Sequence, residues 1–457
     1  MGILFTRFLP LLIASVFLTA GTLSAQNLTA PLLSGSWQST YHNPAMVHFL
    51  PTTTTLGLPG VANDLRLENV DYDDIFAQIN GQRVLQLDTW SLLAGESNGV
   101  QNVYSIETLG AAVRRGRFGF SAYHRLRVQG DAEYPKSLVD LLALGNAPFI
   151  GRTSDIAPRG EVISFQEIGL GLSYAVSDKI ALAGRIKYLA GVSSIQIAEG
   201  SSLRLTTDAA NFGLTVEQNL TLNTVRALTY ESLSNPGLEY NPSRLHPGDL
   251  FTPDNGLAVD LGVAVNLDRL RLNASITDIG AAIDWTEDIT TLRFSGTRTF
   301  SGLDLLDDLL RDSISLEAAV DSLTLSFEPE QVSAAYRSEI GTTVYLGGEY
   351  EITDRMSAGA LVVLEQRLGQ TVPAFAVMGR YAVLDWLRLG VNVNHRPDIR
   401  TDVGLHLYAS PGRFRLFASS DKFLTLVTTG NSALAGIRLG AALTLGSPIR
   451  STSSFLP

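Results

Sequence analysis

Six histidines, at positions 42, 48, 124, 246, 395 and 406, are the imidazole ligands of this chain, and no two stand four apart on a helical stretch. A metalloprotease helix needs that spacing to bring both rings to one face. Cysteine is absent, which removes disulfides, thiolate metal sites, thiol nucleophiles and lipoprotein anchors. The sequence contains no Gly-x-Ser-x-Gly elbow, no His-Glu-x-x-His, no Walker loop and no Gly-x-Gly-x-x-Gly opening a helix. Gly169-x-Gly171 lies inside an alternating segment, where small residues admit a close neighbour or a packed lumen element. Asp304, Asp307, Asp308 and Asp312 lack the alternate spacing and glycine of an EF-hand, so they read as the solvated face of a helix rather than a calcium site. The expectation is a protein that is not an enzyme and that holds no metal or cofactor.

What remains is a set of charges two residues apart within alternating segments: Lys179, Arg185 and Lys187, then Glu349 with Glu351, Arg380, Arg388, and Arg413 with Arg415. Side chains two apart on a strand share a face. Lys179, Arg185, Lys187, Glu349, Glu351, Arg380, Arg388, Arg413 and Arg415 are therefore expected to form an inward wall. Such a wall either conducts or pairs its charges with one another and with another segment of the chain. On a lipid-facing surface each cation would cost about 2–4 kcal/mol near the midplane, whereas a wet or paired lumen tolerates it.

Elements that could carry this wall repeat along the chain. Alternating stretches of about ten residues are joined by six tight turns: Arg114 to Arg117, Ser177 to Lys179, Leu267 to Arg269, Thr353 to Arg355, Leu384 to Trp386 and Pro411 to Arg413. Each pairs Asp or Gly with a cation or an aromatic residue and then resumes with an apolar one, as a hairpin requires. Six hairpins give twelve strands, and Thr52 to Val61 and Leu434 to Leu445 bring the total to fourteen. The connections between hairpins, Arg127 to Ser164, Val192 to Asn255 and Gly280 to Thr342, are long. Short turns at one end and long loops at the other suggest an outer-membrane barrel.

The alternation is regular: Leu257, Val259, Leu261, Val263, Val265 and Leu267 share one face, while Ala258, Asp260, Gly262, Ala264 and Asn266 share the other. Leu387, Leu389, Val391 and Val393 likewise oppose Arg388, Asn392 and Asn394. Period two does not say which face points out, and a soluble periplasmic β protein has the same pattern reversed. Membrane placement is favoured by loop length and by polar faces rich in Gly, Ala and Ser. It is also favoured by Tyr174, Tyr350, Tyr381 and Phe414, which sit on apolar faces near short turns, where a girdle belongs.

Met1 to Ala25 has one cation, Arg7, then an apolar stretch from Phe8 to Ala20, which is about seven residues short of a spanning helix. It reads as a secretory signal cleaved after Ala25. Pro135 to Asn146 predicts a short amphipathic helix, with Pro135 at N1, Leu138, Leu141 and Leu142 on one face and Gly145 after the end. Leu303 to Leu323 predicts one or two more. The net charge of −11 has no basic block, so no nucleic-acid partner is expected.

Asn43-Pro44-Ala45, between Tyr41-His42 and Met46-Val47, resembles the element just before the first strand of FadL- and PorV-like outer-membrane barrels. Pro135 to Asn146, Asp260-Leu261-Gly262, Ser275 to Gly280 with Ile283 and Trp285, and Tyr345 to Gly348 with Tyr350 are similar to an uncharacterised branch of that superfamily common in Bacteroidota. The resemblance implies an all-β, transmembrane, antiparallel up-and-down barrel of fourteen strands, with an N-terminal segment in or under its lumen. Asn43, Pro44 and Ala45 are then plug elements. The chain departs from the usual pattern by ending in Ser451 to Pro457 rather than on a strand with a terminal aromatic.

The expected organisation is a signal at 1–25, a plug-like segment at 26–50, a barrel at 51–446 and a tail at 447–457. The expected location is the cell outer membrane. The leading function is transport-class passage, or lateral exit, of small hydrophobic ligands past the plug, with outer-membrane lipid and such a ligand as partners. The alternative is a PorV-like structural or interaction barrel that docks a secretion or surface-assembly partner.

Overall fold

The computed structural model describes residues 28–448, except 71, 80–81, 211, 231–235, 238–250, 301–328, 398, 422 and 424–435. The expected signal and its cleavage point, the helix expected at 303–323 and nearly all of the tail lie outside the described residues. Fourteen strands close into one barrel. Five near the N-terminus are long: β1 (Thr52–Leu67), β2 (Ser97–Arg115), β3 (Phe118–Pro135), β4 (Arg159–Ala175) and β5 (Ile180–Ile197). Then follow β6 (Asn255–Leu267), β7 (Leu270–Ile279), β8 (Thr343–Thr353), β9 (Met356–Arg367), β10 (Gln370–Leu384), β11 (Leu387–Arg396), β12 (Ile399–Ala409), β13 (Phe414–Ser420) and β14 (Ile437–Pro448). Each pairs antiparallel with its neighbour in sequence. β1 pairs with both β2 (Gly57↔Gly110) and β14 (Leu56↔Leu443), so every barrel strand has a partner on each side. That closure is what a strand-built protein needs in a solvent that offers no hydrogen bonds.

All six tight turns lie between paired strands at one end of the barrel, the end where β1 starts and β14 finishes. Gly116, Asp268 and Gly412 take the positive φ that these turns require (+61°, +55° and +58°). At the other end the connections are more varied than their expected length. Two of them are short: Leu368-Gly369, both with positive φ, joins β9 to β10, and β12 starts where Ile399 pairs with Arg396 at the end of β11. All three stretches expected as loops are partly strand: β3 runs on to Pro135 and β4 starts at Arg159, β5 continues to Ile197, and the third holds the strands Ala282–Trp285 and Ile289–Phe300.

Lengths of 16 to 19 residues in β1 to β5 exceed the roughly 9–11 that a tilted strand needs to cross a bilayer. Their outer ends rise clear of the apolar belt, and there Val128, Val162 and Ile195 are buried. The helices Leu87–Leu93 and Lys136–Leu144 cover them, contributing Trp90, Leu138 and Val139 to the same core. The second helix is the one expected at Pro135 to Asn146. Pro135 stands at its N-cap position, one residue before the N1 expected for it, and Gly145 follows the helix with φ +69°. Strands 214–225 and 289–300 extend this outer sheet from the end of β5.

The burial pattern decides which face is outside. Leu257 and Ile186 are each 63% exposed, while their neighbours Ala258 and Lys187 are 2% and 1% exposed. Leu389, Val391 and Val393 are exposed as well, and Arg388 and Asn392 are buried. A soluble sandwich would have these faces reversed. Tyr174, Tyr350, Tyr381 and Phe414 are exposed near the short turns, joined by Phe118 and Trp386, and form the expected aromatic girdle.

Candidate functional site: the occupied lumen

Residues 28–50 lie inside the barrel, and local sequence explains their course. Pro44 lacks an N–H and has a fixed φ, so it starts the 3-10 turn Pro44–Phe49. Asn43 caps that turn, its Oδ1 accepting from the Ala45 N–H at 2.9 Å. The same side chain fastens the turn to the wall: its Nδ2 donates to the carbonyl oxygens of Val263 (3.0 Å) and Ala274 (3.2 Å), on β6 and β7. Ala45 is small enough to sit against Ala181 and Ala264. Asn43, Pro44 and Ala45, singled out in the sequence, are thus all buried at one docking point.

Glycines in the wall make room for this segment. A Cβ at Gly262 would fall 2.1 Å from Asn43 Oδ1, and one at Gly440 would fall 2.1 Å from Gln38 Nε2. Trp37 is fully buried over the cross-strand pair Gly57 and Gly110, where added Cβ atoms would come within 2.3 and 2.1 Å of the indole. Behind the ring, Tyr41 accepts from Trp37 Nε1 (3.1 Å) and meets Tyr123 edge-on at 4.9 Å. Gly169 admits the ring of Tyr123 in the same way, which is the close neighbour its sequence context anticipated.

Charged side chains of the wall hold the segment and one another. Arg185 donates to the Thr40 carbonyl (2.6 Å) and reaches Asp260 at 3.3 Å. Lys187 bridges Asp260 (2.6 Å) and Asp278 (2.5 Å). Arg125 and Arg127 share Glu167, at 2.8 and 2.9 Å. Arg438 pairs with Glu107 and donates to His42 Nε2 (2.9 Å). Burial first, and then Arg438, hold the His42 imidazole well below its usual pKa range, which keeps it an acceptor. Sharing partners in this way lowers the desolvation cost that isolated buried ions would carry.

Farther round the wall, Glu349, Arg380, Arg388 and Arg415 are buried and inward, as alternation requires. Lys179 and Arg413 are the exceptions. Lys179 is exposed in the turn before β5, where the alternating strand begins only at Ile180. Arg413 is exposed in the turn before β13 and does not line the buried wall, because Gly412 reverses the chain there and the alternating strand begins at Phe414. Between Tyr41, His42, Arg125, Arg127, Asp278 and Arg438 lies a polar cavity of about 70 Å³, space for about two water molecules. Among the described residues no group of three or more His, Asp or Glu could hold a metal.

Trp37, Glu107, Arg125, Arg127, Glu167, Asp278 and Arg438 were not singled out by sequence. Two signals pointed to them: isolated glycines within alternating strands, and charges in the small-residue register of β2 to β4.

A family model described as "Family of unknown function (DUF5723)" matches residues 44–421. No curated protein matches the sequence. Solved structures to which the chain is similar include the toluene transporter TbuX of Ralstonia pickettii, at 11% identity over 89% of this chain and 91% of that one, TM-score 0.41. A FadL homologue of Pseudomonas aeruginosa is 14% identical over 90% and 92%, TM-score 0.42. The toluene transporter TodX of Pseudomonas putida is 10% identical over 92% and 96%, TM-score 0.41. Likeness at this level does not assign a ligand.

Proposed function

The chain belongs to the DUF5723 family, and we propose that it is an outer-membrane barrel of the transport class, closed at rest by its own residues 28–50. One observation carries this reading. The segment from Trp37 to Val47 fits wall positions kept free of side chains at Gly57, Gly110, Gly119, Gly262 and Gly440, so the wall is shaped to receive a closing element. With that element seated, the polar cavity beside it is too small for a solute larger than a few waters. Passage therefore requires the segment to move or the wall to part.

A hydrophobic ligand is the class implied by the resemblance at Tyr41 to Val47. It also fits a hollow of about 710 Å³ on the lipid-facing wall between Val113, Phe120, Leu170, Leu172, Ile186 and Val259, where Gly171 and Gly184 thin the barrel. Deleting residues 26–50 should raise single-channel conductance in planar bilayers. Unchanged conductance from a correctly folded, heat-modifiable barrel would overturn the closure and favour a barrel that serves only to dock a partner.

A further inference from the structure

On the lipid-facing side of β2 to β5 the register stacks three rows of side chains. The row farthest from the short turns is Ala111, Ala122, Leu170 and Ile186, and the next is Val113, Phe120, Leu172 and Gly184. The last, nearest the turns, is Arg115, Phe118, Tyr174 and Leu182. Small residues at 111, 122 and 184 set the floor of the hollow on this wall below the larger side chains that flank it. Gly184 is not glycine for want of space, since a Cβ there would meet nothing nearer than Leu261 Cδ2 at 3.8 Å. The recess is open to whatever packs on the wall, and at the depth of the apolar belt that is an acyl chain.

Arg115 lies two residues along β2 from Val113, about 7 Å at the rise of an antiparallel strand. It is exposed in the same row as Phe118 and Tyr174, whose rings meet at 5.1 Å between centroids as part of the girdle. Arg117 follows in the turn, also exposed, its guanidinium donating to the Val176 carbonyl at 3.4 Å. Neither arginine meets a carboxylate among the described residues. Arg114, the third cation of this turn, donates instead to the carbonyl oxygens of His48 and Leu50 and is engaged with the N-terminal segment. Other turns at this end answer cation with acid: Asp178 precedes Lys179, which lies 3.8 Å from Asp268, and Asp354 precedes Arg355. The turn with three cations and no acid is therefore the one directly beside the hollow.

We propose that this face of the wall binds one anionic phospholipid of the inner leaflet, its phosphate held by Arg115 and Arg117 and an acyl chain lying in the hollow. Guanidinium groups hold phosphate oxygens by paired, charge-assisted hydrogen bonds. The Phe118 and Tyr174 rings lie at the glycerol level, and the chain covers apolar wall that Gly184 and the two alanines leave recessed. A zwitterionic head brings an ammonium back beside the arginines, so the site discriminates by charge. The inference rests on the reading of the chain as an outer-membrane barrel, whose short turns face the periplasm, and it gives the hollow a resident of stated chemistry. It needs no movement of residues 28–50.

The test mixes the full chain in detergent with equal amounts of phosphatidylglycerol and phosphatidylcholine carrying the same acyl chains, and counts the retained lipids by native mass spectrometry. Phosphatidylglycerol should be retained over phosphatidylcholine. That preference should fall about fivefold with each arginine removed and about 30-fold in Arg115→Gln/Arg117→Gln. Arg355→Gln/Arg413→Gln, which removes exposed turn cations elsewhere on the barrel, should leave it unchanged. Gly184→Leu, which puts a side chain into the hollow, should lower retention of both lipids and keep their ratio. Heat-modifiable migration shows that each variant is a folded barrel. Equal retention of the two lipids by the parent, an unchanged ratio in Arg115→Gln/Arg117→Gln, an equal loss in the turn control, or undiminished retention in Gly184→Leu would overturn the inference. A chain that is not a membrane barrel would instead retain neither lipid, so the two failures are told apart.

Discussion

Replacing Gly110 by alanine should unseat the N-terminal segment. The added Cβ would lie 2.1 Å from Trp37 Cζ2 and 2.8 Å from Cη2. Carbon atoms settle about 3.5–4.0 Å apart, so the indole must retreat by about 1.4 Å. It has little room to do so. Tyr41 stands edge-on behind it at 5.8 Å, held in turn by Tyr123, and Gly57 on the paired strand faces the same ring. Over-packing of this kind costs about 1–3 kcal/mol. Because the strain exists only while Trp37 is seated, it raises the unseated-to-seated ratio about 5- to 150-fold. The assay is open probability in planar bilayers, read beside Gly379→Ala, which adds the same methyl group where nothing lies within 4 Å. If Gly110→Ala remains as closed as the parent, or if Gly379→Ala opens equally, the wall glycines are not a seat for the segment.

Asn43→Ala removes a helix cap of about 1 kcal/mol and two wall hydrogen bonds of about 0.5–1.5 kcal/mol each. It should raise open probability, and Asn43→Asp, which keeps the cap but loses the donor, should do so too. A closed Asn43→Asp barrel would show that the cap alone matters. Lys187→Met leaves Asp260 and Asp278 short of their shared cation and should cost about 3–5 kcal/mol. Urea unfolding followed by gel migration measures this, and a change below 1 kcal/mol would contradict the network. Val391→Arg, on the exposed apolar face, should cost about 2–4 kcal/mol in a bilayer, whereas Trp386→Arg, beside a turn, should cost about 0–1 kcal/mol. Equal costs at the two sites would place the membrane elsewhere.

Much of the barrel was legible because strand alternation and turn chemistry are local. Asp268 and Gly412 accept the positive φ that a tight hairpin demands, and Leu257 to Leu267 separates its apolar and polar faces residue by residue. Loop lengths were less legible. Leu368-Gly369 closes β9 onto β10 in two residues, and strands run on into the stretches Arg127 to Ser164 and Val192 to Asn255 that were expected as loops. At the outer end, Val128, Val162 and Ile195 continue the lipid-face register but are covered by helices, a change of environment that periodicity does not record. Arg413 failed as a wall residue because alternation was extended into a turn, where it does not apply.

By itself the sequence determined the fourteen strands, their pairing through six short turns and the division of each strand into two faces, since all of these follow from contacts between near neighbours along the chain. Only the tertiary structure decided that the apolar face is the outer one. It alone brought Trp37 onto a glycine pair from β1 and β2, and placed Arg185, Lys187, Asp260 and Asp278 in one network. These contacts join residues up to hundreds of positions apart, and closure of the barrel is what brings them together.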